Sequence, residues 1–412
     1  MKKTSWRIAW IIVLMTGIAC NLGLAGKAVP AQRTSTTSES SVMTTAPSST
    51  SNSGAPSVQS NPDTVCDGTG CISLKKFSEN IDSELQGKVV GYVSMIGSTP
   101  IISTYGQART AANPPATAMG TSIPSNIASL SKVLTTVSVL QWLASHNLTV
   151  YAKISSYLPP DWTQGPNIDT ITFKDLLTHR AGFRNDENNE SYAGLQQQIA
   201  DGVQLSDMAT PQYNNLNFAL FRILLPYMAG FSDPGPAQRA TATANFYVDY
   251  MRQHIFLPLG ITQADCKPAA GSDPMFYYPA PAAGLIPGVD GGDWTLTCGG
   301  GGWVLSTEDL YKILLDLMNG NKLLTDSEKA QMNSECLGWD CSVGPEVDFV
   351  GKNGILHYIY TNNNQTHDYW LETFFGIFKG KVPVVLLVNS VPPQNITGVV
   401  DNAFRNAMAP SP

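Results

Sequence analysis

The chain has 412 residues, 43% of them hydrophobic, which is enough for a large core or two packed lobes. Its formal net charge is −7 and only 14% of its residues are charged. No basic patch stands out, which argues against a nucleic-acid partner.

Residues 1–20 read as an export signal. Lys2, Lys3 and Arg7 give a positive start, and an apolar run follows from Ile8 to Ala19. Gly17-Ile18-Ala19-Cys20 resembles the cleavage box of bacterial lipoproteins, with Gly17 where a leucine is usual. Cys20 would then carry the lipid. Extending the apolar run to Ala25 gives the other reading, an uncleaved membrane anchor. Residues 21–64 are rich in Ser, Thr and Pro and poor in large apolar side chains, so they read as a flexible tether. Residues 65–412 remain for one folded domain, expected to be a monomer.

Seven cysteines occur, and setting Cys20 aside leaves six, an even number. Cys66 and Cys71 are close in sequence, as are Cys336 and Cys341; Cys266 and Cys298 are left. Three disulfides in that pairing are predicted, in an oxidising compartment, although six cysteines allow other pairings. A metal site built from the two C-x4-C pairs is the rival reading, and no histidine cluster accompanies them.

In chain order, a helix is predicted from Leu74. GKVVGYVSMIG and TPIISTYGQA follow as a β-hairpin. After a loop of Ala, Asn and Pro comes SLSKVLTTVSVLQWLASHN, with Leu130, Val133, Leu134, Val137, Leu140 and Leu143 at helical intervals. This predicts a buried helix with Ser129 in its first turn, where free N–H groups favour a developing anion. ITFKDLLTHRAGF reads as a short capped helix stopped by Gly182. NNLNFALFRILLPYMAG and ANFYVDYMRQHIFLPLG predict two more helices. Gly299 to Gly302 lack the strand and Lys-Ser/Thr frame of a phosphate loop and read as a close-packed turn. The helix STEDLYKILLDLMNG follows, capped by Ser306 or Thr307 and ended by Gly320. ILHYIYT, YWLETFFGIFKG and VPVVLLVN read as strands, and VVDNAFRNAMA as a last amphipathic segment. Strands at both chain ends predict one antiparallel sheet with a helical lobe inserted between them.

Ser129 and Lys132 are three residues apart, so on a helix they share a face. That is the reach a neutral lysine needs to take a serine proton. Ser73 and Lys76 share the spacing without an apolar helix behind them. Two further patterns follow in order, Tyr213-Asn214-Asn215 before an apolar helix and Lys352-Asn353-Gly354 before a strand. Together with LLTHRAGF and GGGGWVLSTEDL, they make residues 78 to 405 resemble the serine β-lactamase and penicillin-binding family. The likeness is greatest to its class C β-lactamase and D-alanyl-D-alanine peptidase or esterase branch. It implies an α+β fold of that family and a serine hydrolase with no metal or cofactor, acting on a small molecule or peptide. It also implies roles. Ser129 would be the nucleophile, Lys132 its base, and Tyr213 the proton carrier. Asn215 would hold Lys132 and the substrate, and Lys352 would be a second cation. Gly354 would let its strand approach the substrate, and the N–H groups of Ser129 and Ile355 would form the oxyanion hole.

Each residue also has a plainer reading. Tyr213 could be an ordinary half-buried aromatic, Lys352 a surface lysine, and His179 a loop tie. His179, His357 and His367 suggest a Ser–His–Asp site, but no G-x-S-x-G elbow is present. The third motif departs from the family pattern. Asn353 replaces the usual Thr or Ser, whose hydroxyl commonly grips a substrate carboxylate. Ile355 is bulky where a small residue is common, His357 is large, and Asn214 replaces a small residue. These changes are expected to reshape the pocket. A non-catalytic binding or sensor protein on the same scaffold is the alternative function.

Overall fold

The computed structural model describes residues 63–66, 70–184, 189–279, 286–342, 349–362 and 365–409. The export segment with Cys20, and the tether up to residue 62, lie outside the described residues. Thr64–Cys66 is a strand that pairs antiparallel with Cys71–Ser73, and a Cys66–Cys71 disulfide closes the pair. Among the described residues, no helix is long and apolar enough to cross a membrane.

Ser73 caps the helix Leu74–Leu85, its hydroxyl accepting the Lys76 N–H at 3.2 Å. The Ser73–Lys76 spacing is therefore a capping signal. Phe77, Ile81 and Leu85 lie on the buried side of this helix.

A seven-stranded antiparallel sheet forms the centre. From edge to edge its strands are Thr117–Ala118, Ile101–Arg109, Gly91–Ile96, Val382–Val388, Gln365–Phe378, Phe349–Asn362 and Asp340–Ser342. The two chain ends meet where Tyr92 lies opposite Val388 and Ile96 opposite Val384. Val382–Val388 is buried at every position, which is why it reads as an unbroken apolar run. One face is covered by Leu74–Leu85 and the C-terminal helix Ile396–Arg405, with Phe77 and Phe404 ring centroids 5.6 Å apart. Burying each such ring contributes about 1.5–3 kcal/mol.

The other face carries the inserted helical lobe. Its central helix, Ser131–Ser145, is buried on nearly all sides. Its hydroxyls are satisfied nearby: Thr135 donates to the Gly299 carbonyl at 2.7 Å and Thr136 to the Lys132 carbonyl at 2.9 Å. Thr307–Asn319 is capped by a Ser306–Asp309 box and followed by Gly320.

Outside the Ser129 helix, three predicted helices differ in their bounds. Phe173–Leu177 stops at Thr178 instead of Gly182, because His179 takes a left-handed φ of 55° and turns the chain first. The apolar helix near 215 is split into Leu216–Ala219 and Phe221–Met228. The third helix starts at Pro236, runs to Met251 and then widens into a π-helical turn, Arg252–Phe256. Cys266 joins Cys298 and Cys336 joins Cys341, so the cysteines of the two C-x4-C pairs are bonded to each other.

Candidate active site

Ser129 lies in a 3-10 turn, Ala128–Leu130, that feeds the helix beginning at Ser131. The predicted helix thus starts two residues later than the pattern suggests. Ala128, just before the nucleophile, has a left-handed φ of 51°. Such a conformation costs of order 1–3 kcal/mol and persists only where neighbours enforce it. Here Ala128 N–H donates to Asn126 Oδ1 at 2.8 Å, and Ile127 N–H to the Trp303 carbonyl at 2.8 Å. Thr373 Oγ1 also donates to the Ile127 carbonyl at 3.0 Å.

Lys132 is fully buried. Its Nζ donates to Ser129 Oγ at 3.1 Å, Asn215 Oδ1 at 2.8 Å and the Gly300 carbonyl at 2.5 Å. Burial lowers its pKa to about 8, while the negative charges of Glu190 and Asp340 oppose the shift. The Gly299–Gly302 run supplies the Gly300 carbonyl because it packs so tightly. A Cβ on Gly299 would stand 2.5 Å from the Phe218 carbonyl oxygen.

The Glu190 carboxyl is hydrogen-bonded to the Asn215 side chain. Asn215 Oδ1 already accepts from Lys132, so its amide nitrogen is the group that serves Glu190. The amide thereby bridges an ammonium and a carboxyl. Burial pushes the Glu190 carboxyl up, and Lys132 pulls it back down.

Tyr213 Oη is 2.8 Å from Ser129 Oγ. The residue as a whole is 54% exposed, but two lysine ammonium groups lie close to its ring. Lys132 Nζ is 5.1 Å and Lys352 Nζ 5.3 Å from the ring centroid. Desolvation of the hydroxyl end, which lies against Ser129, pushes the phenol up, and Lys352 and the Ser129 hydrogen bond counter this. His179 does tie a loop, and that loop carries Tyr213. Its carbonyl accepts the Gln212 N–H at 2.8 Å, its Nδ1 accepts the Asn214 N–H at 3.3 Å, and its ring lies 4.5 Å from that of Tyr213. Burial, then Lys132 and Lys352, hold the imidazole well below its usual pKa, so it is neutral with its proton on Nε2.

The strand Phe349–Asn362 brings the third motif. A Cβ on Gly354 would stand 2.8 Å from both Ser129 N and Ala128 Cβ, so only glycine allows this approach. Lys352 is 4% exposed and donates to both Asp340 carboxylate oxygens, at 2.8 and 2.6 Å. It is a buried, paired lysine rather than a surface one.

Three expectations about pocket shape are corrected. Leu356 packs with Ala128, on the face that Gly354 shares. Ile355 and His357 alternate with these residues and point to the opposite face of the sheet. There His357 stacks on Trp370 at 4.2 Å and pairs with Asp368, which removes it from any serine–histidine pair. Asn214 is 7% exposed and turned inward, accepting the Leu216 N–H at 2.9 Å and donating to the Phe183 carbonyl at 3.3 Å. Sequence reasoning missed Glu190, Asp340, Thr373 and the Gly300 carbonyl. None sits in a periodic pattern or at a fixed offset from Ser129.

The fold and this serine–lysine geometry point to one class of protein, a serine hydrolase. Residues 95–358 match the family model described as Beta-lactamase, and the chain belongs to the beta-lactamase family. A Bacillus subtilis (strain 168) protein named "Putative penicillin-binding protein PbpX" is 25% identical over 201 residues, covering 47% of this chain and 46% of that protein. The match therefore spans about half the length of that relative. A beta-lactamase/D-alanine carboxypeptidase from Yersinia pestis superimposes with a TM-score of 0.58 at 14% identity, covering 81% of this chain and 96% of that one. A D-amino acid amidase from Ochrobactrum anthropi SV3, complexed with L-phenylalanine amide, gives a TM-score of 0.55 at 17% identity, covering 80% and 98%. Both are likenesses of fold.

Proposed function

We propose that this protein is an exported hydrolase that moves an acyl group from an ester or amide to water through an ester on Ser129. Neutral Lys132 takes the Ser129 proton as Oγ attacks the carbonyl carbon. The N–H groups of Ser129 and Ile355 receive the oxyanion, and Gly354 lets the strand edge lie against the acyl group. Tyr213 passes a proton to the leaving group and then helps water attack the acyl-enzyme. Asn215 holds Lys132, and the Lys352 charge acts on Tyr213.

One observation carries this reading: a lysine sealed from solvent, with its pKa lowered to about 8, stands 3.1 Å from a serine hydroxyl. Three disulfides support an oxidising, exported setting. They use six of the seven cysteines and leave Cys20 over, which supports lipidation there and a membrane-tethered domain. The carboxypeptidase and amidase names of the structural neighbours support amide or ester substrates.

The test is intact mass of the domain after brief exposure to an activated short ester and, separately, to a penicillin, with Ser129→Ala as control. An adduct or turnover that vanishes in the variant is the expected result. A folded wild-type protein that neither reacts with nor turns over either compound would favour the binding-protein alternative.

A further inference from the structure

The charges around Ser129 are paired with one another. In its protonated form Lys132 directs its three N–H donors at Ser129, Asn215 and Gly300, so none remains for a substrate. Lys352 is covered, and both Asp340 oxygens lie on its Nζ. Asp340 itself is 53% exposed at the side chain, so on this side the carboxylate faces solvent and the ammonium does not. The same Lys352 Nζ lies 5.3 Å from the Tyr213 ring centroid, so Asp340 is held on the Tyr213 side of the site. Position 353 offers an amide in place of a hydroxyl.

From this arrangement we infer that the site selects acyl donors by charge, favouring a cationic group beside Asp340 and rejecting a free carboxylate there. The inference rests on the Ser129 hydrolase reading and names the substrate class within it. A substrate carboxylate would have to displace Asp340 from Lys352, breaking two charge-assisted hydrogen bonds, or lie against a like charge. A protonated or quaternary amine would meet an exposed carboxylate already held in place.

Three esters of one acyl group provide the probe. Their alcohols are choline, its neutral isostere 3,3-dimethylbutanol, and 3-hydroxypropanoate. Expected kcat/KM falls in that order, with choline at least about tenfold above the carboxylate ester. Asp340→Asn should collapse the ratio, chiefly by raising the carboxylate ester about tenfold, and Asp340→Glu should restore the order. Wild-type preference for the carboxylate ester, or an unchanged ratio in folded Asp340→Asn, overturns the inference. Calorimetric binding of the same esters to Ser129→Ala keeps the two readings apart. If the wild type turns over none of them and also forms no adduct with the activated ester, the hydrolase reading fails, and the order of binding still decides the charge selection. Equal binding of all three, or of none, overturns it.

Discussion

Gly354 and Ser129 are in direct backbone contact: a Cβ added at Gly354 would stand 2.8 Å from the Ser129 nitrogen. It would also stand 2.5 Å from Thr373 Oγ1, the group that fixes the turn before Ser129. The strand edge and the nucleophile turn therefore share one fixed spacing.

Gly354→Ala should break that spacing. The strand or the turn must move by a few tenths of an ångström or more, and both are backbone. Overpacking of this kind destabilises by about 1–3 kcal/mol. A misplaced oxyanion hole lowers kcat/KM by about a hundredfold. Thermal melting and ester kinetics on the same preparation check both effects. Unchanged kinetics would mean that the strand edge plays no part in the reaction.

The pH dependence follows from Lys132. A base works unprotonated, so kcat/KM should rise with pH and level off above about 8. The unfolded chain holds this proton up to about the ordinary lysine pKa of 10.5, so the Lys132 contribution to stability also rises with pH between the two values. Glu190 favours the ammonium form. Glu190→Gln removes that charge, so Lys132 should lose its proton more readily and the rising limb should move to lower pH. A pH–rate profile of the variant decides this; a limb that stays in place would show that Glu190 has no electrostatic hold on Lys132.

The disulfides should differ in consequence. Cys266 and Cys298 are 32 residues apart, whereas Cys66 and Cys71 are 5 apart. Chain-entropy reasoning gives about 3–4 kcal/mol for the first and about 2 kcal/mol for the second. Cys298 also leads directly into the turn whose Gly300 carbonyl holds Lys132. Replacing Cys266 and Cys298 together by alanine should therefore lower both stability and turnover. Replacing Cys66 and Cys71 should lower stability alone. Urea unfolding and ester turnover of the two double variants test the difference.

Much of the fold can be read in the sequence because its signals are local. The apolar run at 382–388 marks a central strand, and the 3.6-residue periodicity after Ser129 marks a buried helix. Helix ends were less legible. His179 has no glycine to announce its left-handed turn, and Leu220 separates two helices within one apolar pattern. Side-chain direction was also misread at Ile355, His357 and Asn214. Which face of a strand or loop meets the site depends on its neighbours in space.

The sequence by itself determined the serine–lysine pair, since a spacing of three on a helix brings two side chains together wherever that helix sits. It also determined the sheet built from both chain ends and the short-range cysteine pairs. Only the tertiary structure decided the electrostatics around Ser129. Lys132 meets Gly300 across 168 residues and Asn215 across 83, and Lys352 is matched by Asp340 on a separate strand. No local pattern encodes those contacts. They arise from how the sheet and the helical lobe pack, and burial turns them into pKa shifts and charge selection.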